Sequence, residues 1–234
     1  MAKLPDIKKY GFYFDQTKCG ACNACTIACK DWNQINPGPV RHRVQFTFEH
    51  DFGSGKGFFP LSYSCNHCDE PACVAACAAS AIAKDADTGV VTIDRSKCMG
   101  YQSCITACPW AKPMVADDKQ EPAPSTKWLI SHPARKCTTC VGDRLDKVSD
   151  KPACVLSCMG RCLDFGTVEY IKSTYGSDPD FVRLNPTDFP YAYSSNSTTT
   201  TDTGPNLYIK KMKPTGGQNG MRIHKSTVYT GKHK

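Results

Sequence analysis

The chain has 234 residues and a formal net charge of +7 at neutral pH; 40% of its residues are hydrophobic and 22% are charged. This composition is typical of a globular protein in water, and no apolar run is long enough to cross a bilayer. A chain of this length can form a hydrophobic core unaided, so its 16 cysteines are not needed as a disulfide scaffold. Taken alone, the net positive charge suggests that the protein binds an acidic partner or nucleic acid.

The N-terminal stretch does not resemble an export signal. It contains lysines, but neither an apolar core of signal-peptide length nor a pair of adjacent arginines. We therefore expect the chain either to stay in the cytoplasm or to leave it already folded, bound to a partner that carries the signal.

Short predicted strands and helices alternate over the first 170 residues. Alternating apolar side chains predict strands, and a short helix is expected after each cysteine-rich loop. The expected strands cover 10–15, 44–49, 89–94 and 163–168, and the expected helices cover 24–32, 71–78, 103–108 and 152–157. This repeat predicts an α+β fold of the ferredoxin type, with the strand at 44–49 in an inserted β segment.

Fifteen of the 16 cysteines fall into four groups with recurrent two-residue and three-residue gaps. The groups are Cys19, Cys22, Cys25 and Cys29; Cys65, Cys68, Cys73 and Cys77; Cys98, Cys104 and Cys108; and Cys137, Cys140, Cys154 and Cys158. Disulfides and zinc are the competing chemistries, but zinc sites usually pair two C-x2-C knuckles across a longer loop. The first group instead matches the bacterial ferredoxin run that binds [4Fe–4S] clusters.

The spacing of the first group also indicates how the motifs combine. Three cysteines two residues apart wrap a loop around one cluster, whereas the cysteine after the three-residue gap enters a helix and faces away. That last cysteine is placed to bind the cluster of a partner motif, so the motifs are expected to work in pairs. Four motifs make two pairs, which predicts two ferredoxin-like units and four clusters.

Several runs of residues around these cysteines resemble one known family. They are CNHCDEPAC at 65–73, KCMG at 97–100, CITACPW at 104–110, RKCTTC at 135–140 and KPAC at 151–154. On these residues the chain is similar, over residues 10–170, to the four-cluster iron–sulfur subunit of molybdopterin oxidoreductases of the dimethyl-sulfoxide-reductase type. The resemblance implies that the first motif pairs with the fourth, and the second with the third.

This pairing implies a division of the sequence into units. Residues 1–60 and 110–170 would form one ferredoxin-like unit, which includes the insertion, and residues 61–109 would form the other. Residues 171–234 contain no cysteine and include a tract of serine and threonine. In similar subunits such a segment is an extended C-terminal arm on a partner subunit, and residues 205–209 look like that contact.

The resemblance also implies a ligand set for each cluster. The sets are Cys19, Cys22, Cys25 and Cys158 for cluster A; Cys137, Cys140, Cys154 and Cys29 for cluster B; Cys65, Cys68, Cys73 and Cys108 for cluster C; and Cys98, Cys104 and Cys77 for cluster D. Cluster D is one thiolate short because Tyr101 stands where the family pattern has a cysteine. We therefore expect three [4Fe–4S] clusters and one [3Fe–4S] cluster at site D. The alternative is four [4Fe–4S] clusters, with another ligand such as the Tyr101 phenolate at site D.

Two further residues lie close to these motifs. Cys162 is the sixteenth cysteine, and because a free cysteine behaves as a small apolar residue, we expect it to be buried without binding iron. His67 lies between Cys65 and Cys68 and might be taken for a Rieske-type ligand. Since four cysteines already complete that cluster, we expect His67 to pack beside it instead.

No catalytic motif accompanies the cysteines: there is no glycine-rich phosphate loop and no dinucleotide fingerprint. The resemblance implies a non-catalytic subunit that relays single electrons between a quinol-linked or cytochrome-linked partner and a molybdenum or tungsten catalytic subunit. One alternative is a ferredoxin-like subunit of a hydrogenase or formate-oxidising complex. A more remote alternative is a zinc-ribbon module that binds nucleic acid.

The expected partners are a molybdopterin-containing catalytic subunit and a membrane anchor or cytochrome subunit, with no nucleic acid and no membrane span in this chain. Similar subunits often cross the membrane folded, on the twin-arginine signal of the catalytic partner, so we favour the periplasm over the cytoplasm. Fifteen cluster thiolates also change the charge: with oxidised cluster cores included, the loaded protein carries a net charge of about −1. The basic composition then offsets buried anionic clusters and no longer indicates nucleic acid.

Overall fold

The computed structural model describes residues 9–51, 56–122, 125–145, 147–194, 197–199 and 201–212. Its strands are β1 (Tyr10–Asp15), β2 (Val44–Asp51), β3 (Lys56–Tyr63), β4 (Ile82–Lys84), β5 (Val91–Ile93), β6 (Leu163–Thr167), β7 (Phe181–Arg183) and β8 (Leu207–Lys210). Its helices are α1 (Ala24–Trp32), α2 (Ala72–Ala75), α3 (Ser103–Ala107), α4 (Ala153–Leu156) and α5 (Val168–Tyr175). This mixture of small sheets and short helices is compatible with a ferredoxin-like fold.

The largest sheet has four strands in the order β6-β1-β8-β7. All six residues of β1 are buried. It runs antiparallel to β6 and parallel to β8, and β7 runs antiparallel to β8. Phe12 and Phe14 belong to the main core, whereas Tyr13 packs with Ile171 of α5 on the other side. Because both faces of β1 are covered, its continuous aromatic run is satisfied by burial.

Strand β8 corrects the expectation for part of the C-terminal segment. The sequence suggests that residues 205–209 contact a partner, but Leu207–Lys210 lies between β1 and β7 of this chain. Leu207 and Ile209 are 1% and 0% exposed and belong to the main core. The apolar residues of this stretch therefore complete the protein's own sheet. Residues 213–234 lie outside the described residues, and the arm expected there stays a prediction.

The inserted β segment is an antiparallel hairpin of β2 and β3. Phe59 and Leu61 on β3 are 5% and 0% exposed. The side-chain amide of Gln16, just after β1, donates a hydrogen bond to the carbonyl oxygen of Pro60 at 3.0 Å. The hairpin is thus attached to the loop that carries the first cysteine motif.

The short helices pack in two pairs, α1 against α4 and α2 against α3. The first pair carries cysteines of the first and fourth motifs, and the second pair carries cysteines of the second and third. The division of the sequence into two separate ferredoxin-like units stays a prediction. Within the described ranges, every helix is too short or too polar to span a membrane.

Candidate iron–sulfur sites

The cysteine-rich loops are bent by residues in the left-handed backbone conformation. Positive φ angles occur at Ala21, Asn23, His67, Gly100, Gln102, Thr139 and Cys140. For residues other than glycine this conformation is uncommon and unfavourable. In combination with neighbouring residues it turns successive backbone N–H groups inwards, as in the concave nests that bind anions. Loops with this backbone conformation suit a group that accepts hydrogen bonds, such as the sulfurs of a cluster.

The predicted ligands of cluster C lie together. Burial raises the pKa of Cys73, and the neighbouring thiols of Cys65, Cys108 and Cys68 raise it further. Burial also raises the pKa of Cys68 to about 12. Thiolates this close repel one another, and positively charged iron would remove that penalty.

An unpaired hydrogen-bond donor lines the same cavity as these four thiols. Asn66 is 3% exposed, and its side-chain Nδ2 has no hydrogen-bond partner. A buried donor without an acceptor is unfavourable, whereas the sulfur of a bound cluster would accept its hydrogen bond. The residues of this cavity therefore fit an iron–sulfur cluster.

The predicted ligands of cluster B also lie together, and all four are buried. Burial raises the pKa of Cys29 well above its ordinary value, and the thiols of Cys154, Cys137 and Cys140 raise it further. Cys29 belongs to α1 and Cys154 to α4. The contact between these two helices thus brings cysteines of the first and fourth motifs together.

Two predicted ligands of cluster A, Cys158 and Cys19, contact Cys162. The Cys162 Sγ lies 3.2 Å from the Cys158 Sγ. The Cys162 thiol also donates a hydrogen bond to Cys19, which lowers the pKa of Cys19, and Cys25 lies near Cys19. Cys22, the remaining predicted ligand, is exposed. The prediction that Cys162 is buried is confirmed, but its contacts with two predicted ligands were not expected.

The predicted ligands of cluster D line a second cavity together with Tyr101. Burial raises the pKa of Cys104 to about 11, and the thiols of Cys98 and Cys77 contribute to the shift. Tyr101 is 60% exposed, and its hydroxyl donates a hydrogen bond to the sulfur of Met99 at 3.5 Å. Among the residues that line this cavity there is no fourth thiol.

The four groups of thiols neighbour one another in series. Cys154 of group B raises the pKa of Cys25 of group A, Cys65 of group C raises the pKa of Cys137 of group B, and Cys108 of group C raises the pKa of Cys104 of group D. Group A therefore lies near B, B lies near C, and C lies near D. Clusters bound in these groups would form a series in the order A, B, C, D.

A buried arginine lies between groups A and B. Arg43 is 1% exposed, and its guanidinium donates hydrogen bonds to the hydroxyls of Ser62 and Ser64 at 3.2 Å and stacks 4.5 Å from the ring of Phe12. The Ser62 Oγ lies 3.3 Å from the Cys25 Sγ. Burial opposes the charge of Arg43, but nearby thiolates raise its pKa above the ordinary value; they are Cys154, Cys25, Cys137 and Cys29. The same cysteines, once bound to iron as thiolates, would supply its counter-charge.

Two buried lysines lie beside group C. Lys112 is 5% exposed and Lys136 is 3% exposed. Burial lowers the pKa of Lys112 to about 7, while the thiolates of Cys108 and Cys65 oppose the shift. Lys136 donates a hydrogen bond to the carbonyl of Cys137 at 3.1 Å. A buried cation needs a counter-charge, and anionic clusters would provide it for both lysines.

The C-terminal segment contributes side chains to the surroundings of group C, and the cysteine motifs do not indicate them. Thr203 is 3% exposed, and its hydroxyl donates a hydrogen bond to the Cys68 Sγ at 3.3 Å. The side-chain amide of Asn206 donates a hydrogen bond to the carbonyl of His67 at 2.8 Å. No local pattern indicates these contacts, because the partners are more than 100 residues apart in the sequence.

His67 has a structural role. It is 2% exposed, and its Nδ1 accepts a hydrogen bond from the backbone N–H of Val91 at 2.9 Å. Burial lowers the pKa of His67 well below its ordinary value, so the imidazole is neutral. The imidazole therefore holds β5 against the second cysteine motif, which agrees with the packing role expected from the sequence.

Several known proteins are similar to this chain in sequence. A family model described as a 4Fe-4S dicluster domain matches residues 57–168. One polypeptide of the anaerobic dimethyl sulfoxide reductase of Shigella flexneri is 31% identical over 224 residues, which cover 91% of this chain and 95% of that protein. The thiosulfate reductase electron transfer subunit of Salmonella typhi is 32% identical over 69% of this chain and 77% of its own length. A sulfite dehydrogenase subunit of Allochromatium vinosum is 34% identical over 66% of this chain and 67% of its own length.

Proposed function

This protein belongs to the iron–sulfur electron-transfer subunits of the dimethyl-sulfoxide-reductase family of molybdopterin oxidoreductases, and we propose that it relays single electrons through four clusters to or from a molybdenum or tungsten catalytic subunit. Iron–sulfur clusters bound by cysteine thiolates accept and release electrons at potentials that the protein sets. Its residues bind the clusters and tune those potentials, while the chemistry on the substrate belongs to the partner.

We propose that each cluster is held by the ligand set that the family resemblance implies. The mutual burial of the B thiols and the cavity between the C thiols support the two inner sites. The cavity lined by the three D thiols supports the third. At site A, Cys22 is exposed and would complete the set with Cys19, Cys25 and Cys158.

The observation that supports the relay is that each group of thiols lies close enough to the next to shift the pKa of one of its members. Cys25 and Cys154 relate A to B in this way, and the corresponding pairs relate B to C and C to D. Clusters bound in these groups would pass an electron from one end of the series to the other. This order is the proposed path, and it runs in either direction.

We propose a [3Fe–4S] cluster at site D. Three thiols line the cavity, and the Tyr101 hydroxyl is engaged in a hydrogen bond to the sulfur of Met99. The alternative, a [4Fe–4S] cluster, requires Tyr101 to leave Met99 and bind iron. We propose that this cluster is the station of highest potential in the relay, since the cluster type is one of the features that set the potential.

The proposed partners are a molybdopterin catalytic subunit and a membrane anchor or cytochrome subunit. The relatives are components of dimethyl sulfoxide reductase, thiosulfate reductase and sulfite dehydrogenase, so we propose a sulfur compound as the substrate of the catalytic partner. We also propose that the protein reaches the periplasm by export together with that partner.

Purification of the native complex without oxygen tests the proposed function. We expect a brown protein with broad visible absorption, and a catalytic subunit with a molybdenum or tungsten cofactor in the mass spectrum of the intact complex. A colourless protein that contains zinc would contradict the relay. A hydrogenase or formate-oxidising partner would favour the alternative complex.

A further inference from the structure

The residue four positions after the last cysteine of a motif has a recurrent role. In three motifs the backbone N–H at this position donates a hydrogen bond to the sulfur of that cysteine. The pairs are Ala81 N with Cys77 Sγ at 3.3 Å, Cys162 N with Cys158 Sγ at 3.3 Å, and Lys112 N with Cys108 Sγ. This bond fixes the backbone, so the side chain at this position starts next to the sulfur of a predicted ligand.

Cys162 has a larger side chain at this position than the fold requires. Ala81, in the same position of the second motif, is 3% exposed, so a methyl group is sufficient to fill the space there. Cys162 is 4% exposed and adds a sulfur. That sulfur lies 3.2 Å from the Cys158 Sγ and is hydrogen-bonded to Cys19. One extra thiol therefore contacts two predicted ligands of cluster A.

The loop that carries Cys162 is firmly attached to the first motif. The backbone N–H of Asp15 donates a hydrogen bond to the carbonyl of Cys162 at 2.8 Å. Gly160 lies so close to the carbonyl oxygen of Lys18 that a Cβ there would be only 2.7 Å from it. These contacts keep the Cys162 sulfur beside Cys158 and Cys19.

We propose that Cys162 is a reserve ligand of cluster A, which can bind the iron that Cys158 otherwise holds. The proposal rests on the proposed function, since it requires a cluster at this site. In the exchange, the bond between Cys158 and iron breaks, the Cys162 sulfur bonds to the same iron, and the thiol proton of Cys162 passes to Cys158. No electron is transferred and no further reagent is needed.

Removal of Cys158 in the native complex tests the proposal. We expect the Cys158→Ala variant to keep the iron content of the wild type, whereas the Cys158→Ala/Cys162→Ala double variant loses at least one iron per protein. Cys108→Ala is the matched control at cluster C, because Lys112 stands at the position equivalent to Cys162 and offers no thiol. It should lose iron as the double variant does.

A second measurement identifies the replacement ligand. In the Cys158→Ala background, Cys162→Ser should shift the midpoint potential and the EPR signal of cluster A, because an oxygen ligand replaces a sulfur ligand. An unchanged signal contradicts the proposal. The proposal is also contradicted if the Cys158→Ala variant loses as much iron as the double variant. It is contradicted as well if Cys158→Ala fails to assemble the cluster while Cys162→Ala assembles it normally. A wild-type complex without iron would instead overturn the proposed function itself.

Discussion

The hydroxyl of Thr203 donates a hydrogen bond to the sulfur of Cys68, at 3.3 Å. The indole N–H of Trp110 donates in turn to the Thr203 Oγ1 at 3.3 Å. A residue of the C-terminal segment thus donates a hydrogen bond to a predicted ligand of cluster C. Hydrogen bonds to cluster sulfurs stabilise the more negative, reduced state, so this contact should raise the potential of cluster C.

The Thr203→Val variant, which removes the donor but keeps the shape of the side chain, should have a lower midpoint potential at cluster C than the wild type. Redox titration followed by EPR measures this shift, and the other three clusters should keep their potentials. Thr203→Ser retains a hydroxyl and serves as the control. Equal potentials for cluster C in the valine variant and the wild type would contradict the assigned role of Thr203.

Arg43 should act on two clusters together, because it lies between groups A and B. Arg43→Met removes a buried positive charge near both, and we expect lower midpoint potentials for clusters A and B. Lys112→Met removes a charge beside Cys108 and Cys65, so it should lower the potential of cluster C alone. If Arg43→Met changed the midpoint potential of cluster C alone, or of no cluster, the placement of Arg43 between groups A and B would be wrong.

The identity of cluster D can be changed at Tyr101. Tyr101→Cys restores the missing ligand, so the EPR signal of the oxidised three-iron cluster should disappear and the iron content should rise by one per protein. Tyr101→Phe is the control, and the three-iron signal should persist in it. A wild-type protein that is EPR-silent when oxidised, and that loses iron on Tyr101→Phe, would indicate the phenolate-ligated alternative.

His42 should make the stability of the protein depend on pH. It is 6% exposed, and its Nε2 accepts a hydrogen bond from the Arg135 Nε at 3.1 Å. Burial lowers the pKa of His42 from 6.5 to about 3, and the positive charge of Arg135 adds to the shift. Because the unfolded chain takes up this proton more readily, the contribution of His42 to stability is complete above pH 6.5 and is lost as the pH falls towards 3.

We therefore expect the thermal unfolding midpoint to fall between neutral pH and pH ~5, by an amount equivalent to up to about 1.4 kcal/mol per pH unit for this group. His42→Gln cannot take up the proton but can still accept the hydrogen bond from Arg135. Its midpoint should depend less steeply on pH. Parallel curves for the two proteins would show that His42 is not responsible.

The sequence predicts best the features that depend on neighbouring residues. The aromatic run of β1 and the helix after the first cysteine loop, α1, are both predicted with the bounds that the structure shows. Helix α5 is not predicted, because it follows β6 directly. Its start is set by the Thr167 hydroxyl, which accepts a hydrogen bond from the Tyr170 N–H at 2.9 Å. The strand-like sequence pattern contains no signal that a helix begins directly after the strand.

Features that depend on distant residues could not be predicted in the same way. Strand β8 pairs with β1, almost 200 residues earlier, and the polar tract before it suggests a segment without a core. Arg43 is one basic residue among many in the sequence, and only its burial among thiols marks it as distinctive. The pairing of the cysteine motifs comes from the family resemblance, since spacing alone shows only that motifs combine.

Four clusters in series within this protein are tested most directly by analysis of iron and sulfide in the anaerobically purified complex, combined with a redox titration. We expect about fifteen irons and about sixteen sulfides per protein, from three [4Fe–4S] clusters and one [3Fe–4S] cluster, with each cluster reducible in the titration. Iron sufficient for only two clusters, or zinc in place of iron, would contradict a series of four clusters.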